Sequence, residues 1–234
     1  MSRPNHDGIS PRRRGQRHLH LHLHLHPQQA KMARISLACL LAFTLCACAS
    51  GPPAKPEDAC AIFVEKRAWY KAAHKTAERW SVPESVLLAF VKQESSFRAK
   101  AKPPRQGRFL WIFPGPRPSS AYGYAQALDG TWADYQAATG HGWAERDDFA
   151  DAVDFIGWYI ERVHERLGIA KDDAYRLYLA YHEGPGGYVR GSHQRKPWLL
   201  KVARRVEQQA HRYAAQYAGC RAGLSRPWFI RWFD

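Results

Sequence analysis

Apolar residues recur at intervals of three or four along most of the chain after residue 58, which is the spacing of a buried helix face. The clearest case is the stretch 147–167, where one apolar stripe is followed by Gly168 as a stop signal. The same spacing predicts helices over 59–80, 83–95, 130–140, 147–167, 171–182 and 196–219. Because no long strand-like alternation occurs there, we expect a mainly α fold, a single helical domain over 59–220.

Glu94 continues the apolar stripe of the predicted helix 83–95. Leu87 and Phe90 precede it at the spacing of one helix face, so its carboxyl group should be partly buried. It also falls in the last helical turn, where the helix dipole disfavours an anion. Both effects raise the pKa of a carboxyl group, as a general acid requires near neutral pH. A structural glutamate hydrogen-bonded to a neighbouring turn would give the same pattern.

The first 58 residues are typical of targeting sequence and linker. Met32 and Arg34 precede an apolar run of thirteen residues, 35–47, which is too short to span a bilayer and predicts a signal peptide over 32–47. The run ends in L-C-A-C, which resembles the lipobox of bacterial lipoproteins and predicts lipidation of Cys48, with a linker over 48–58. By the same resemblance, Ala49 suggests outer-membrane retention. We therefore expect a periplasmic lipoprotein anchored to the outer membrane through Cys48.

The segment 1–31 lies upstream of this signal and carries alternating histidines at 18–26. Such a tract could bind a transition metal. A secretion signal normally starts at the N-terminus, however, so we interpret 1–31 as a wrong start or a disordered segment. We therefore expect no metal and no cofactor.

The net charge of the chain narrows the classes of molecule that the protein could bind. The net charge is +14, of which residues 1–47 contribute +6, so the chain after processing would carry +8. Such a surplus favours an anionic partner, for example an acidic cell-wall polymer. Nucleic acid is not expected, because secretion separates the chain from DNA.

Only Cys60 and Cys220 remain after processing, and they bracket nearly the whole predicted domain. In an oxidising periplasm they could form a disulfide, which would stabilise so long a loop by about 5 kcal/mol. Two separate buried thiols are the alternative.

Three short blocks follow one another in the predicted domain. They are E-S-S-F at 94–97, S-A-Y-G-Y-A-Q at 120–126 and A-Y-H-E-G at 180–184. In this order they resemble the signature blocks of the soluble lytic transglycosylase (SLT) domain, which is related in fold to goose-type lysozyme, over about 80–217. The resemblance implies a lysozyme-like helical domain with a groove for peptidoglycan glycan strands. We also expect the protein to be a monomer.

The resemblance assigns roles in the first two blocks. Glu94 would be the catalytic acid/base, and Ser95 would position substrate or an adjacent loop. Gly123 and Gln126 match the glycine and glutamine of the family's second block, and Gln126 is expected to face the cleft. Tyr124 stands between them as a further substrate-binding candidate.

In the third block, Tyr181 matches a tyrosine that the family places near the glutamate, where its hydroxyl can donate a hydrogen bond. His182 replaces the usual asparagine and could make activity sensitive to pH. Glu183 and Tyr188 complete the substrate-binding candidates. The stretch 183–188 predicts either a tight turn close to a ligand or a simple helix stop.

The implied reaction is cleavage of the β-1,4 bond between N-acetylmuramic acid and N-acetylglucosamine, with a 1,6-anhydromuramyl product and Glu94 as the single acid/base. Most glycosidases need a second carboxylate. Asp129 or Glu183 could serve as one for hydrolysis, although helix propping or surface charge is the preferred role for each. The alternatives are a hydrolysing muramidase and a non-catalytic peptidoglycan-binding lipoprotein.

Two further segments have open interpretations. The basic, proline-rich segment 98–120 carries Phe109, Trp111 and Phe113 and could cover the core or form a wall of the cleft. The tail 221–234 has aromatic residues at 228, 229, 232 and 233, which could pack on the domain or lie in a membrane interface.

Overall fold

A computed structural model of the protein describes residues 51–105, 107–109, 113–114 and 116–225. The predicted signal peptide, the predicted lipidation site Cys48, Trp111 and the aromatic positions of the tail lie outside the described residues. The described part contains seven α-helices, which confirms the mainly α prediction. In chain order they are α1 Ala59–Glu65, α2 Arg67–Trp80, α3 Glu84–Ser95, α4 Asp129–Thr139, α5 Phe149–Leu167, α6 Ala174–Val189 and α7 Pro197–Ser225.

Two smaller elements complete the described fold. A 3₁₀ helix, Ser192–Arg195, links α6 to α7. Strands β1, Arg108–Phe109, and β2, Phe113–Pro114, form an antiparallel pair within the basic segment 98–120. Strands of two residues are too short to leave an alternating pattern, so the sequence did not indicate them.

The predicted helix over 59–80 is in fact two helices. The chain leaves helical geometry at Lys66, whose φ is −111° and ψ is 68°. No glycine or proline marks this position, so the break has no local signal. It separates Ile62 and Phe63 on α1 from Trp69 on α2, all of which are buried in the core.

Helices α3 and α7 pack together, and α7 also contacts α1 and α6. On the other side, α2 packs against α5. An aromatic cluster lies between α2, the first residue of α5 and the turn after α3, where the Trp69 ring stacks on Phe149 at 4.1 Å and on Phe97 at 5.8 Å. Phe90 of α3 packs edge on against Tyr178 and Tyr181 of α6, which places α6 beside the helix that carries Glu94. None of the described helices combines the length and apolar character needed to cross a membrane.

Candidate active site

Glu94 lies in the last turn of α3 and is half-buried. Burial raises the pKa of its carboxyl group from 4.5 to about 7, while a hydrogen bond from the Tyr178 hydroxyl opposes the rise. The helix ends directly behind it, because Ser96 and Phe97 both have positive φ, 50° and 60°. Phe97 is fully buried and anchors this sharp turn. A carboxyl group in this state can hold a proton at neutral pH and also release it.

Two tyrosines of α6 approach Glu94. Tyr178 donates a hydrogen bond to the carboxyl group, and burial raises its own pKa, helped by the charge of Glu94. Burial and, to a smaller extent, the charge of Glu94 raise the pKa of Tyr181. Its hydroxyl, however, donates to the Ala125 carbonyl oxygen at 2.6 Å. The ring of Phe90 lies 5.5 Å from Tyr178 and 5.4 Å from Tyr181, edge on to both.

The structure therefore differs from the expected role of Tyr181. We expected the Tyr181 hydroxyl to donate towards Glu94, whereas Tyr178 makes that bond and Tyr181 ties α6 to the second sequence block. Tyr178 was not among the site residues predicted from the sequence. It precedes Tyr181 by three residues, so the two share one helix face, and this spacing was the available signal.

The second block forms a tight turn held by backbone contacts. Gly123 has a φ of +80°, and a Cβ atom on it would lie 1.9 Å from the Arg146 carbonyl oxygen. The Gln126 side-chain amide donates to the carbonyl oxygens of Ala101 at 3.0 Å and Gly123 at 2.9 Å. Gln126 thus closes the turn on itself, and Tyr181 then fixes the turn against α6.

Replacing Gly123 with alanine should lower the free energy of unfolding by about 3 kcal/mol, because the new Cβ would force the Arg146 backbone to move and the positive φ would add strain. Urea denaturation would measure the loss. Gly130→Ala is the matched control, since that glycine lies in α4 with no atom within 4 Å of an added Cβ. A Gly123→Ala protein as stable as the control would contradict this account of the turn.

Two of the predicted substrate-binding residues are buried away from solvent. Tyr124 is 3% exposed and its ring meets Trp69 edge on at 5.6 Å, so it belongs to the core. Ser95 is 1% exposed, and its hydroxyl donates to the Val91 carbonyl oxygen at 3.0 Å. Its own carbonyl accepts from the Arg98 guanidinium, so of its two predicted roles only the loop contact is present. The substrate-binding assignment was wrong for Tyr124, because the turn at Gly123 directs its ring inward.

Glu183 is a structural anion and not a second catalytic acid. Burial acts to raise its pKa, but hydrogen bonds from Lys196, Ser192 and His182 outweigh this and lower it to about 2. The side chain is only 4% exposed, and Lys196 Nζ lies 2.6 Å from one carboxylate oxygen. Its partners thus occupy the carboxylate and tie α6 to the start of α7, so Glu183 is not available to bind substrate as we expected.

The remaining residues of the third block lie on a more exposed surface. The His182 side chain is 37% exposed, with Nδ1 3.0 Å from a Glu183 carboxylate oxygen. Its ring meets that of Trp198 edge on at 5.1 Å, and Trp198 is itself 55% exposed. Tyr188 is half-buried and its ring stacks on His193 at 4.9 Å. Of the third-block candidates, His182 is therefore the one that keeps an exposed functional group next to Tyr181.

Asp129, the other possible second carboxylate, is the first residue of α4. Its side chain is 69% exposed and lies 2.8 Å from the Arg146 guanidinium. An acid at a helix N-terminus is stabilised by the helix dipole, which matches the helix-propping role.

Cys60 and Cys220 form a disulfide that joins α1 to α7, with an S–S distance of 2.07 Å. It closes a loop of 160 residues that contains Glu94 and all three sequence blocks. Within the described part of the chain, no group of three or more His, Cys, Asp or Glu residues could hold a metal ion.

A helical domain with a half-buried glutamate at the end of one helix, facing tyrosines of another, defines a lysozyme-like class of protein. A family model described as the transglycosylase SLT domain matches residues 36–220. The chain therefore belongs to the transglycosylase SLT domain family. Membership supports lytic transglycosylase activity in general, with peptidoglycan as the substrate. No curated protein matches the sequence.

Proposed function

We propose that this protein is a peptidoglycan lytic transglycosylase that cleaves the β-1,4 bond between N-acetylmuramic acid and N-acetylglucosamine, with Glu94 as its single acid/base. One observation carries the proposal: burial raises the pKa of Glu94 to about 7. A group with this pKa can donate a proton in one step and accept one in the next at the same pH.

The reaction would run as follows. Protonated Glu94 gives its proton to the bridging oxygen, the bond from that oxygen to C1 of the muramyl residue breaks, and the electron pair leaves with N-acetylglucosamine. The resulting cationic centre is stabilised as an oxocarbenium ion or by the acetamido group. The Glu94 carboxylate then takes the proton from the C6 hydroxyl, and O6 bonds to C1. Glu94 is protonated again, the product is a 1,6-anhydromuramyl end, and no water is consumed.

The surroundings of Glu94 suit both proton transfers, the first from Glu94 and the second back to it. The Tyr178 hydroxyl donates to the carboxyl group, which stabilises the carboxylate formed after the first proton transfer. The two other candidate carboxylates, Asp129 and Glu183, are each paired with a basic side chain. A mechanism with one carboxylate therefore fits the described residues better than hydrolysis by a pair.

Mass analysis of the fragments released from purified sacculi tests the proposal. Anhydromuramyl ends, each lighter by one water than a reducing end, are the expected products. Reducing muramyl ends would instead identify a hydrolysing muramidase. Binding to sacculi without release of fragments would favour the second candidate function, a non-catalytic peptidoglycan-binding lipoprotein.

Replacing Tyr178 with phenylalanine should shift the pH profile. Its hydrogen bond favours the carboxylate and so lowers the pKa of Glu94, and removing the bond should raise that pKa above 7. Activity needs the protonated acid and falls as the pH rises through this pKa. The fall in kcat/KM should therefore move to a higher pH by about one unit. Tyr175→Phe, on the same helix, is the control and should leave the profile in place; an identical shift in both variants would count against the assignment.

We propose further that the protein is a lipoprotein held in the outer membrane through Cys48 and facing the cell wall from the periplasm. The signal-like run 35–47 supports this, and the Cys60–Cys220 disulfide is typical of an oxidising compartment. The test is labelling with a radioactive fatty acid followed by membrane fractionation. A Cys48→Ser protein that still carries label and stays in the outer membrane would reject the proposal.

A further inference from the structure

Trp198 carries an exposed indole ring beside the third sequence block. It is the second residue of α7, directly after Pro197, and it is 55% exposed. Proline at the first position of a helix is favourable, so the start of α7 fixes where the indole lies. Single exposed apolar residues are common on folded proteins, and the surroundings of Trp198 must therefore decide whether it has a role.

The neighbour of Trp198 is His182 of α6. The two rings meet edge on, with centroids 5.1 Å apart and an angle of 76° between their planes. An edge-on contact covers at most one face of the indole, which agrees with the exposure of Trp198. We call these two rings the His182–Trp198 platform.

The platform lies close to Glu94. The Tyr178 hydroxyl donates to the Glu94 carboxyl group, and Tyr178 and His182 are four residues apart on one face of α6. Four residues advance an α-helix by about 6 Å. The kink in α6 comes after both residues, at Gly184, so this spacing holds between them. The platform therefore begins about one helical turn beyond the tyrosine that contacts the proposed acid.

His182 offers a hydrogen-bond acceptor at the edge of the platform. Its Nδ1 lies 3.0 Å from a Glu183 carboxylate oxygen. Because a carboxylate can only accept, Nδ1 carries the ring proton, and Nε2 of the neutral ring is then an acceptor. Among the residues that the structure describes, none forms a hydrogen bond with Nε2.

These features suit an uncharged sugar ring. The C–H groups of a pyranose can pack on the open face of an indole, and its hydroxyl groups can donate to Nε2. Glu183, the acid that His182 contacts, is paired with Lys196, so the platform borders a neutralised ion pair. A carboxylate ligand would meet an acceptor at Nε2 where it needs a donor.

We propose that the His182–Trp198 platform binds a sugar ring of the glycan strand beside the bond that Glu94 cleaves, and so holds the strand in place for cleavage. This inference rests on the proposed function, since it adds a sugar-binding position to the same site. Trp198 stacks on the sugar ring, and His182 Nε2 accepts from one of its hydroxyl groups. Both are positioning residues and take no part in proton transfer.

Two assays on the purified protein test the platform. The first measures kcat and KM on soluble glycan strands. The second measures by calorimetry the binding of chitotriose, a β-1,4-linked trimer of N-acetylglucosamine. Trp198→Leu removes the aromatic face and keeps an apolar side chain, whereas Trp198→Phe keeps an aromatic face. The matched control is Trp143→Leu, because Trp143 is 98% exposed and lies in the loop between α4 and α5.

Trp198→Leu should raise KM about tenfold, leave kcat within about twofold and weaken chitotriose binding about tenfold, because it removes binding that the ground state and the transition state share. Trp198→Phe should keep most of the native affinity. His182→Phe, which keeps a ring but removes the acceptor, should weaken binding about fivefold. Trp143→Leu should behave as the native protein does.

A native KM and a native chitotriose affinity in Trp198→Leu would overturn the inference and leave the transglycosylase assignment standing. An equal loss in Trp143→Leu would also overturn it, because the effect would then not depend on the platform. If the native protein cleaves no strand, the proposed function fails. The chitotriose assay then decides alone, and loss of binding in Trp198→Leu but not in Trp143→Leu would still support the platform.

Discussion

Replacing Glu94 with glutamine should lower the rate of glycan-strand cleavage by about three orders of magnitude. Glutamine keeps the shape of the side chain and can accept the Tyr178 hydrogen bond, but it cannot give a proton to the bridging oxygen or take one from the C6 hydroxyl. In the proposed mechanism Glu94 serves both transfers, so one substitution would remove both. The measurement is the initial rate at which sacculi lose turbidity, together with the yield of anhydromuramyl fragments.

Stability provides an internal control for this variant. The pKa of Glu94 is raised to about 7 in the folded protein from an ordinary value of 4.5. Between these two values the folded state binds more protons than the unfolded state, so the native protein loses stability as the pH rises through this window. Neutral glutamine avoids that loss, and Glu94→Gln should be more stable by about 1–3 kcal/mol at pH 8. At pH 4 the difference should nearly vanish.

Glu78→Gln is the matched substitution, since Glu78 lies on α2 with its side chain 70% exposed. It should leave the cleavage rate unchanged. Undiminished clearance of sacculi by Glu94→Gln would show that another group transfers the proton. Lost clearance combined with lost stability would mean that the glutamate supports the fold.

The spacing of apolar residues predicted that Glu94 would be partly buried, because burial on a helix face depends on the sequence of that helix alone. Leu87 and Phe90 share its helix face, so its burial follows from the geometry of a single element. The value of its pKa also depends on Tyr178, which comes from α6 more than 80 positions later in the chain. A contact between two helices that are distant in the sequence leaves no periodic pattern of residues in either helix.

The errors in the predicted site have the same origin. Tyr124 lies in a signature block, but the backbone turn at Gly123 sends its ring towards Trp69 on α2, a contact between distant parts of the chain. Glu183 became a candidate because it lies in the third sequence block. Beyond the kink at Gly184, however, Lys196 pairs with its charge and the Ser192 hydroxyl donates a hydrogen bond to it. Proximity to a sequence motif identifies candidate residues. Tertiary contacts then decide which of them can bind substrate and which of them support the fold.

Removing the disulfide by replacing Cys60 and Cys220 with alanine should lower the free energy of unfolding by about 5 kcal/mol. The bond closes a loop of 160 residues, and the loss of chain entropy that it imposes on the unfolded state grows with loop length. Folded α1 and α7 would remain in contact, because the Gln216 side chain accepts from the Ala59 amide at 2.9 Å and donates to the Glu57 carbonyl oxygen at 3.1 Å.

Urea denaturation of the native protein, with and without a reductant, and of the double variant would measure this effect. The reduced native protein and the variant should unfold at the same urea concentration, and the oxidised protein should unfold at a clearly higher one. A reductant should not change the variant, which separates loss of the bond from other effects of the reagent. If the oxidised and reduced native proteins differ by less than about 1 kcal/mol, the unfolded chain already holds its two ends together without the bond, and the entropic account is wrong. Because Glu94 and the three sequence blocks all lie inside this loop, a large effect would make the folded candidate active site depend on an oxidising compartment.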